Sequence, residues 1–189
     1  MQRNKWEHVI FYPTGVGEKH KVNLLEAIYR LTNRSKKGFG LLVIIGWRRK
    51  WSKDYALITD VQQDIFRYRS NQLFNRSTRR VIKIIKKTKY FDGAILVTRR
   101  GIFYASGIYL THLQPRLLLE HLGEKFEGDF SRTLGFREKV HARHLVAITA
   151  SWQLKGTTIY TVSEESKTIR VYEEGRIIYS SIPEEIWQG

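Results

Sequence analysis

Residues 91–106 read FDGAILVTRRGIFYAS, and this stretch decides the fold class. It opens on an Asp-Gly turn that leads into an apolar run ending at Thr98, which predicts a strand. The triplet at residues 99–101 predicts a hairpin turn, and Ile102 to Ser106 return as a second strand. The stretch therefore predicts a pair of strands within a larger sheet.

The residues upstream of this pair predict two further strands and two helices. The run GLLVIIG at residues 40–46 is wholly apolar, which predicts a strand buried on both faces. Residues 55–60 predict another strand. Leucine and isoleucine recur at helical spacing in residues 22–33, and a second helical pattern starts after the capping residue Ser77 and runs to about residue 90.

The helix predicted at residues 77–90 has two unlike faces. One face is an apolar stripe that we expect to pack on the sheet, formed by Val81, Ile84, Ile85 and Thr88. The other face is basic and we expect it to be exposed, with Arg79, Arg80, Lys83, Lys86, Lys87 and Lys89.

The residues downstream predict two helices followed by three strands. The helices lie around residues 117–122 and 140–153, and the strands at 157–163, 168–172 and 176–179. Together the elements predict an α/β fold in which a mixed central β-sheet of about seven strands is flanked by helices. With no linker in the sequence, we expect one domain over residues 1–189, with residues 1–20 as an N-terminal extension.

The composition limits the possible classes of protein. The chain has 33 Lys and Arg against 18 Asp and Glu, a net charge of +15, and this balance attracts polyanions. It has no cysteine, which excludes a disulfide scaffold and cysteine-ligated metal sites. The apolar run Leu41–Ile45 is too short to span a membrane, and the N-terminus lacks the pattern of a signal peptide, so we expect a cytoplasmic protein.

Three short polar segments adjoin predicted strands or helices. Asp92-Gly93-Ala94 opens a strand, where a carboxylate can bind a divalent metal and a glycine lets a ligand approach the backbone. Residues 141–144 open a helix, where Arg143 and His144 can add charge-assisted hydrogen bonds to a phosphate at the helix N-terminus. Ser163-Glu164-Glu165 closes a strand. Each segment taken alone also fits an ordinary turn or helix start.

The order of these three segments along the chain resembles the order of motifs in the diadenylate cyclase family. In that family an Asp-Gly-Ala motif and an Arg-His-Arg motif line one ATP site. The resemblance extends over residues 24–178 and implies a role for each matching residue. Asp92 is then the catalytic residue, which binds Mg²⁺ or Mn²⁺ and helps to activate the attacking 3′-hydroxyl, and Glu164 is a second candidate metal ligand. The implied ATP-binding residues are Gly93, Ala94, Leu110, Arg143, His144 and Ser163.

The chain departs from the family pattern at three places. Leu145 stands where the family usually has the second arginine of Arg-His-Arg. His141 and Ala142 replace the glycine and the small polar residue that precede this motif. Residues 119–139 form an insertion ahead of it. The loss of one arginine removes a possible phosphate contact, which Arg137 or Lys139 could replace.

The resemblance implies that two ATP molecules are joined into cyclic di-AMP with release of two pyrophosphates, across a face-to-face dimer. Two other hypotheses remain open. Because of Leu145, the protein could bind ATP or cyclic di-AMP without making it. Alternatively it could be a nucleic-acid-binding module that uses the basic segment 76–89 and stacks bases on Trp47, Trp51 and Trp152.

Overall fold

The structure is a computed structural model that describes residues 6, 8–58, 60–67, 71–72, 77–123, 130–139 and 141–185. The helices in these residues are α1 (Glu18–Arg34), α2 (Ser52–Tyr55), α3 (Thr78–Thr88), α4 (Pro115–Leu122), α5 (Phe130–Thr133) and α6 (Ala142–Gln153). The strands are β1 (Leu41–Trp47), β2 (Ala56–Ile58), β3 (Asn71–Gln72), β4 (Ala94–Thr98), β5 (Ile102–Leu110), β6 (Thr158–Val162), β7 (Ile169–Glu173) and β8 (Arg176–Ser180).

The strands form one mixed sheet. Seven of the described strands follow the order β2-β5-β4-β1-β6-β7-β8, and the two-residue β3 pairs with β5. β1 runs parallel to β4, and the other described pairs are antiparallel. This arrangement confirms the predicted mixed sheet of about seven strands with flanking helices.

β1 lies at the centre of the sheet, and all seven of its residues are buried. Because side chains alternate across a strand, β1 and its neighbours contribute to two cores. The α1-side core, under α1 and α3, includes Leu25, Ile28, Val43, Ile45, Val81, Ile85, Ile95 and Val97. The α6-side core, under α4 and α6, includes Leu42, Ile44, Ala94, Leu96, Leu118, Ala147, Ile148 and Ile159.

The basic helix α3 packs as its pattern predicts. Val81 and Ile85 are buried in the α1-side core, and the partly buried Ile84 packs against it. Lys83 and Lys87 lie on the opposite, exposed face. The N-terminal cap, Ser77, is also confirmed in position, although its side chain makes no capping hydrogen bond.

Several boundaries differ from the predicted ones for reasons of tertiary contact. α1 begins at Glu18, four residues before the apolar pattern, because its first turns bury Lys21 in an ion pair of 2.8 Å with Glu173. β5 extends beyond Ser106 to Leu110 because that part pairs with both β4 and β2. β2 ends at Ile58, and residue 59 of the predicted strand lies outside the described residues.

The predicted N-terminal extension and insertion both contribute to packing. Trp6 and Val9 are buried in the α1-side core. In the predicted insertion, Leu134 and Phe136 are buried in the α6-side core, while residues 124–129 lie outside the described residues. Among the helices in the described part of the chain, none has the length and hydropathy to cross a membrane.

Candidate active site

One edge of the sheet brings together the three polar segments picked out by the sequence. β1 runs parallel to β4, and it pairs antiparallel with β6 so that Leu41 lies opposite Val162. The start of β1, the start of β4 and the end of β6 therefore share this edge. Asp92 lies just before β4, and Ser163 just after β6, so the two segments flank the start of β1.

A cleft of about 290 Å³ opens at this edge, between the N-terminus of α6 and the segment after β6. Its walls are formed by His141, Ala142, Arg143, His144, Ser163, Glu164 and Glu165. α6 has 12 residues, and the side chain of its N-cap residue makes no capping hydrogen bond. The first N–H groups of α6 and its dipole are thus directed at the cleft, where they favour an anion.

The guanidinium of Arg143 crosses from α6 to the start of β1. It lies directly against Gly40, where a Cβ atom would come within 2.0 Å of Nη1 of Arg143. Gly38 is equally close to the other wall, because a Cβ atom there would lie 1.8 Å from the carbonyl oxygen of Glu164. Two residues without side chains therefore let the loop before β1 touch both walls of the cleft.

The Asp92-Gly93-Ala94 segment lies beside the far end of β5. Gly93 has φ +91, and a Cβ atom on it would lie 2.7 Å from the carbonyl oxygen of Ile108. Ala94 pairs with Ile108, which places Leu110, two residues further along the antiparallel strand, beside the turn that carries Asp92. Asp92 itself is exposed. The structure thus gathers Gly93, Ala94 and Leu110 next to an accessible carboxylate.

His144 lines the cleft but is held from behind by two strands. Its Nδ1 lies 2.9 Å from the hydroxyl of Tyr172 and 3.1 Å from Oγ1 of Thr161. Burial, together with the positive charges of Arg170 and Arg143, lowers the pKa of His144 to about 3. Nδ1 of His144 and the hydroxyl of Tyr172 share one hydrogen; in the tautomer in which the hydroxyl donates, Nε2 carries the proton of the neutral ring and can donate to a ligand. The prediction that both side chains would donate charge-assisted hydrogen bonds is therefore corrected: Arg143 is charged and can donate such a bond, whereas His144 is neutral.

A family comparison matches most of the chain. The sequence model of the DAC family, described as "DisA bacterial checkpoint controller nucleotide-binding", matches residues 29–177. The chain belongs to the DAC family. The matched span contains all three polar segments, and it confirms the resemblance of this DAC domain to the diadenylate cyclase family.

Two solved structures are similar to this chain. The crystal structure of a hypothetical membrane spanning protein from Bacillus cereus has 19% identity and a TM-score of 0.51, over 86% of this chain. The DAC domain spans 63% of the length of that Bacillus chain. A double mutant of DacA from Staphylococcus aureus has 21% identity and a TM-score of 0.49, over 91% of this chain and 97% of its own. No curated protein matches the sequence.

Asp92 and Glu164 are the candidate metal ligands of the DAC domain, and they suit a metal ion whose other ligands come from a bound nucleotide. Asp92 and Glu164 are both exposed at the same edge of the sheet. The described residues contain no group of three or more His, Asp or Glu side chains that would form a metal site on their own. Mg²⁺ in phosphate-transfer sites is commonly bound by one or two carboxylates together with substrate phosphates. The donor set therefore suits Mg²⁺ or Mn²⁺ that arrives with a nucleotide.

Sequence reasoning missed several residues that shape the cleft. Gly40 makes room for the guanidinium of Arg143, and Gly38 makes room for the carbonyl oxygen of Glu164. The Gly-x-Gly pattern before a buried strand could have indicated this close approach. Tyr172 and Thr161 fix the ring of His144. Their positions on two strands that share the α6 face could have been found only after the strands were paired.

The buried imidazole of His144 should make stability depend on pH. The unfolded chain takes up a proton near the ordinary pKa of about 6.5, whereas the folded protein does so only near pH 3. As pH falls below about 6, the free energy of unfolding should therefore decrease by about 1.4 kcal/mol per pH unit because of this group. Urea titrations of wild type and His144→Asn between pH 7 and 5 measure the difference.

The matched control is His141→Asn, which removes the 77% exposed imidazole at the mouth of the same cleft. The pH dependence of His141→Asn should follow that of the wild type, and that of His144→Asn should be flatter. Equal pH dependence in all three proteins would mean that His144 is not neutral in the folded state.

Proposed function

We propose that this DAC domain is a diadenylate cyclase that joins two ATP molecules into cyclic di-AMP and two pyrophosphates, with a divalent metal, in a face-to-face dimer. One observation carries the proposal: the N-terminus of α6 with Arg143 shares a sheet edge with the exposed carboxylate of Asp92. Membership of a family whose description is nucleotide-binding supports ATP as the ligand.

The cleft supplies the groups that a triphosphate needs. The N–H groups of α6 and the guanidinium of Arg143 neutralise negative charge, and the neutral ring of His144 lies beside them. The hydroxyl of Ser163 accepts a long hydrogen bond of 3.4 Å from the backbone N–H of Ser166, which leaves its own hydrogen able to donate to a phosphate oxygen. The adenosine lies beyond these groups, along Gly93 and Leu110.

The reaction is a transfer of the adenylyl group that occurs twice. The 3′-oxygen of one ATP attacks the α-phosphorus of the other, a P–O bond forms, and the bond to pyrophosphate breaks. The hydroxyl proton passes to the carboxylate of Asp92 or to water. A divalent metal bound at Asp92 would stabilise the negative charge on the phosphates and on the attacking oxygen. The contribution of the remaining residues is to position both nucleotides.

The reaction brings two ATP molecules together, and we propose that each subunit of a dimer binds one of them in its cleft. The edge of the sheet next to Leu110 supports this arrangement, because it exposes apolar side chains. Leu57 is 51% exposed and pairs with Tyr109, which is 42% exposed, while Ile58 is 50% exposed. Burying these side chains against a second copy would place two Leu110–Asp92 segments close together.

The test is incubation of the intact chain with ATP and either Mg²⁺ or Mn²⁺, with products identified by mass spectrometry. We expect cyclic di-AMP and pyrophosphate in a ratio of one to two, and no product after addition of a metal chelator. Failure to form cyclic di-AMP while ATP still binds would overturn the proposal.

Leu145 favours one second candidate, a DAC domain that binds ATP or cyclic di-AMP without catalysis. The side chain of Leu145 packs against the α6-side core, so the motif provides one arginine to the cleft where the family usually has two. If the wild type is inactive, Leu145→Arg should create cyclase activity. If Leu145→Arg folds and binds ATP but stays inactive, Leu145 is not the reason for the lack of catalysis.

A further inference from the structure

A second concavity lies on the side of the sheet that α1 and α3 cover, and it adjoins the loop that leads to the cleft. This basic groove has a volume of about 370 Å³ and runs between the C-terminus of α1 and the second half of α3. Its walls carry five cationic side chains: Arg34, Lys36, Lys37, Lys86 and Lys89. Its apolar surface is formed by Leu31 and Ile82, and Tyr90 closes one end. None of these residues takes part in the proposed cyclase reaction.

The described walls of the basic groove contain no acidic residue. No Asp or Glu occurs in residues 27–53 or 65–91, the two stretches that supply its walls. Ion pairs among the described residues, such as Lys21–Glu173, Arg30–Glu26, His141–Glu165 and Arg170–Glu185, involve none of the five groove cations. Cations gathered in a groove without counter-charges create a field that attracts a polyanion.

The positive surface continues along α3 beyond the groove. Arg79, Arg80, Lys83 and Lys87 are exposed on the same helix. From Arg79 to Lys89 this basic ridge extends about 15 Å at 1.5 Å per residue, which is long for a single phosphate and suits a chain of phosphates. Val81 and Ile85 of α3 are fully buried, and Ile82 and Ile84 pack partly buried against the same core, so the helix has no wholly exposed apolar face to insert into a lipid surface.

Tyr90 supplies an aromatic surface at the end of the ridge. Its side chain is 72% exposed, which is unusual for so large a ring. The ammonium of Lys89 lies 4.4 Å from the centre of the Tyr90 ring and 5.5 Å from that of Phe39, so a cation is held beside the exposed ring. An accessible aromatic ring next to a cationic groove is the arrangement by which proteins bind single strands, with bases stacked on the ring and phosphates in the groove.

We propose that the basic groove and the ridge of α3 bind single-stranded nucleic acid, with phosphates on the lysines and arginines and one base stacked on Tyr90. The stacking requires an unpaired base, so a single strand fits and a duplex does not. The site lies on the α1 side of the sheet, and ATP binds on the α6 side.

Fluorescence anisotropy of a labelled 12-nucleotide oligo(dT), without ATP and at 50 to 200 mM salt, tests this proposal. Each phosphate contact to a single strand contributes about 0.7 to the slope of log affinity against log salt, so Lys86→Ser/Lys87→Ser should reduce the slope by about 1.4. Tyr90→Ala should weaken binding roughly 5- to 150-fold, since one stacked base contributes that range. Tyr90→Phe should bind like the wild type.

The matched control is Lys50→Ser/Lys53→Ser, which removes two exposed lysines elsewhere. It should bind the oligonucleotide nearly as tightly as the wild type, and an equal loss in both double variants would overturn the proposal, because net charge alone would then explain binding. Displacement of the strand by equimolar tripolyphosphate, or binding only to phosphatidylserine vesicles, would also overturn it. We expect Lys86→Ser/Lys87→Ser to keep its ATP turnover, which separates this site from the cyclase cleft.

Discussion

Asp92→Asn should abolish cyclic di-AMP formation while ATP binding survives. Asp92 is exposed at the start of β4, and its carboxylate carries the same sign of charge as ATP. It can therefore help only by holding a metal or by accepting the proton of the attacking hydroxyl. Asparagine keeps the shape and loses both abilities. Since general base catalysis alone contributes 10²- to 10⁴-fold, we expect turnover to fall by at least about 10²-fold.

Glu165→Gln is the matched control for this variant. Glu165 is an exposed carboxylate in the wall of the same cleft, 3.3 Å from the ring of His141, and we assign it no role in catalysis. Its amide variant should turn over ATP within a few-fold of the wild type. Calorimetric titration of ATP into Asp92→Asn provides the second measurement. Loss of ATP binding in Asp92→Asn would mean that Asp92 contacts the nucleotide in another way and that its catalytic assignment is wrong.

The elements that the sequence predicts well are those whose burial follows a local pattern. The wholly apolar run at residues 40–46 became β1, the buried centre of the sheet. The stripe of α3 became part of the α1-side core. In each case the period of the apolar residues is set by the geometry of the element itself, so it can be recognised without knowledge of the neighbours.

The features that the sequence did not predict depend on contacts between distant residues. Lys21 and Glu173 are 152 positions apart, and both are buried in one ion pair. Local pattern places charged residues at the surface, because their burial is costly without a partner, and only the fold supplies the partner. Arg170 and Glu185 form a similar buried pair, in which Nε and Nη2 donate to the carboxylate at 2.6 and 2.8 Å.

For the candidate site, too, the sequence indicated which segments meet but not the electrostatic state of their side chains. The order of the polar segments predicted Asp92, Arg143 and Ser163 as site residues. The sheet places Asp92 and Ser163 at one edge, and the guanidinium of Arg143 reaches Gly40 at the same edge. The pattern could not show that His144 is neutral, because the cause is its burial beside Tyr172 and Arg170. The motif alone suggests a charged histidine, and the strands that bury the ring show that it is neutral.

Arg143→Ala should weaken ATP binding roughly 10- to 100-fold and leave the fold intact. The side chain is half-buried and its guanidinium lies in the cleft against Gly40, so its removal leaves no large cavity in either core. Hydrogen bonds to charged groups contribute about 1.5–3 kcal/mol, and each 1.4 kcal/mol is a factor of ten in affinity. Calorimetric titration of ATP measures the loss.

Two further variants separate the position of this guanidinium from its charge. Arg143→Lys keeps the charge without the planar fork and should recover only part of the affinity. Gly40→Ala keeps the arginine but puts a Cβ atom where Nη1 now lies, so the guanidinium must move and ATP binding should weaken as well. Because the neighbour is the end of a flexible side chain, Gly40→Ala should remain folded. If Arg143→Ala and Gly40→Ala both bind ATP like the wild type, the triphosphate does not bind at the N-terminus of α6.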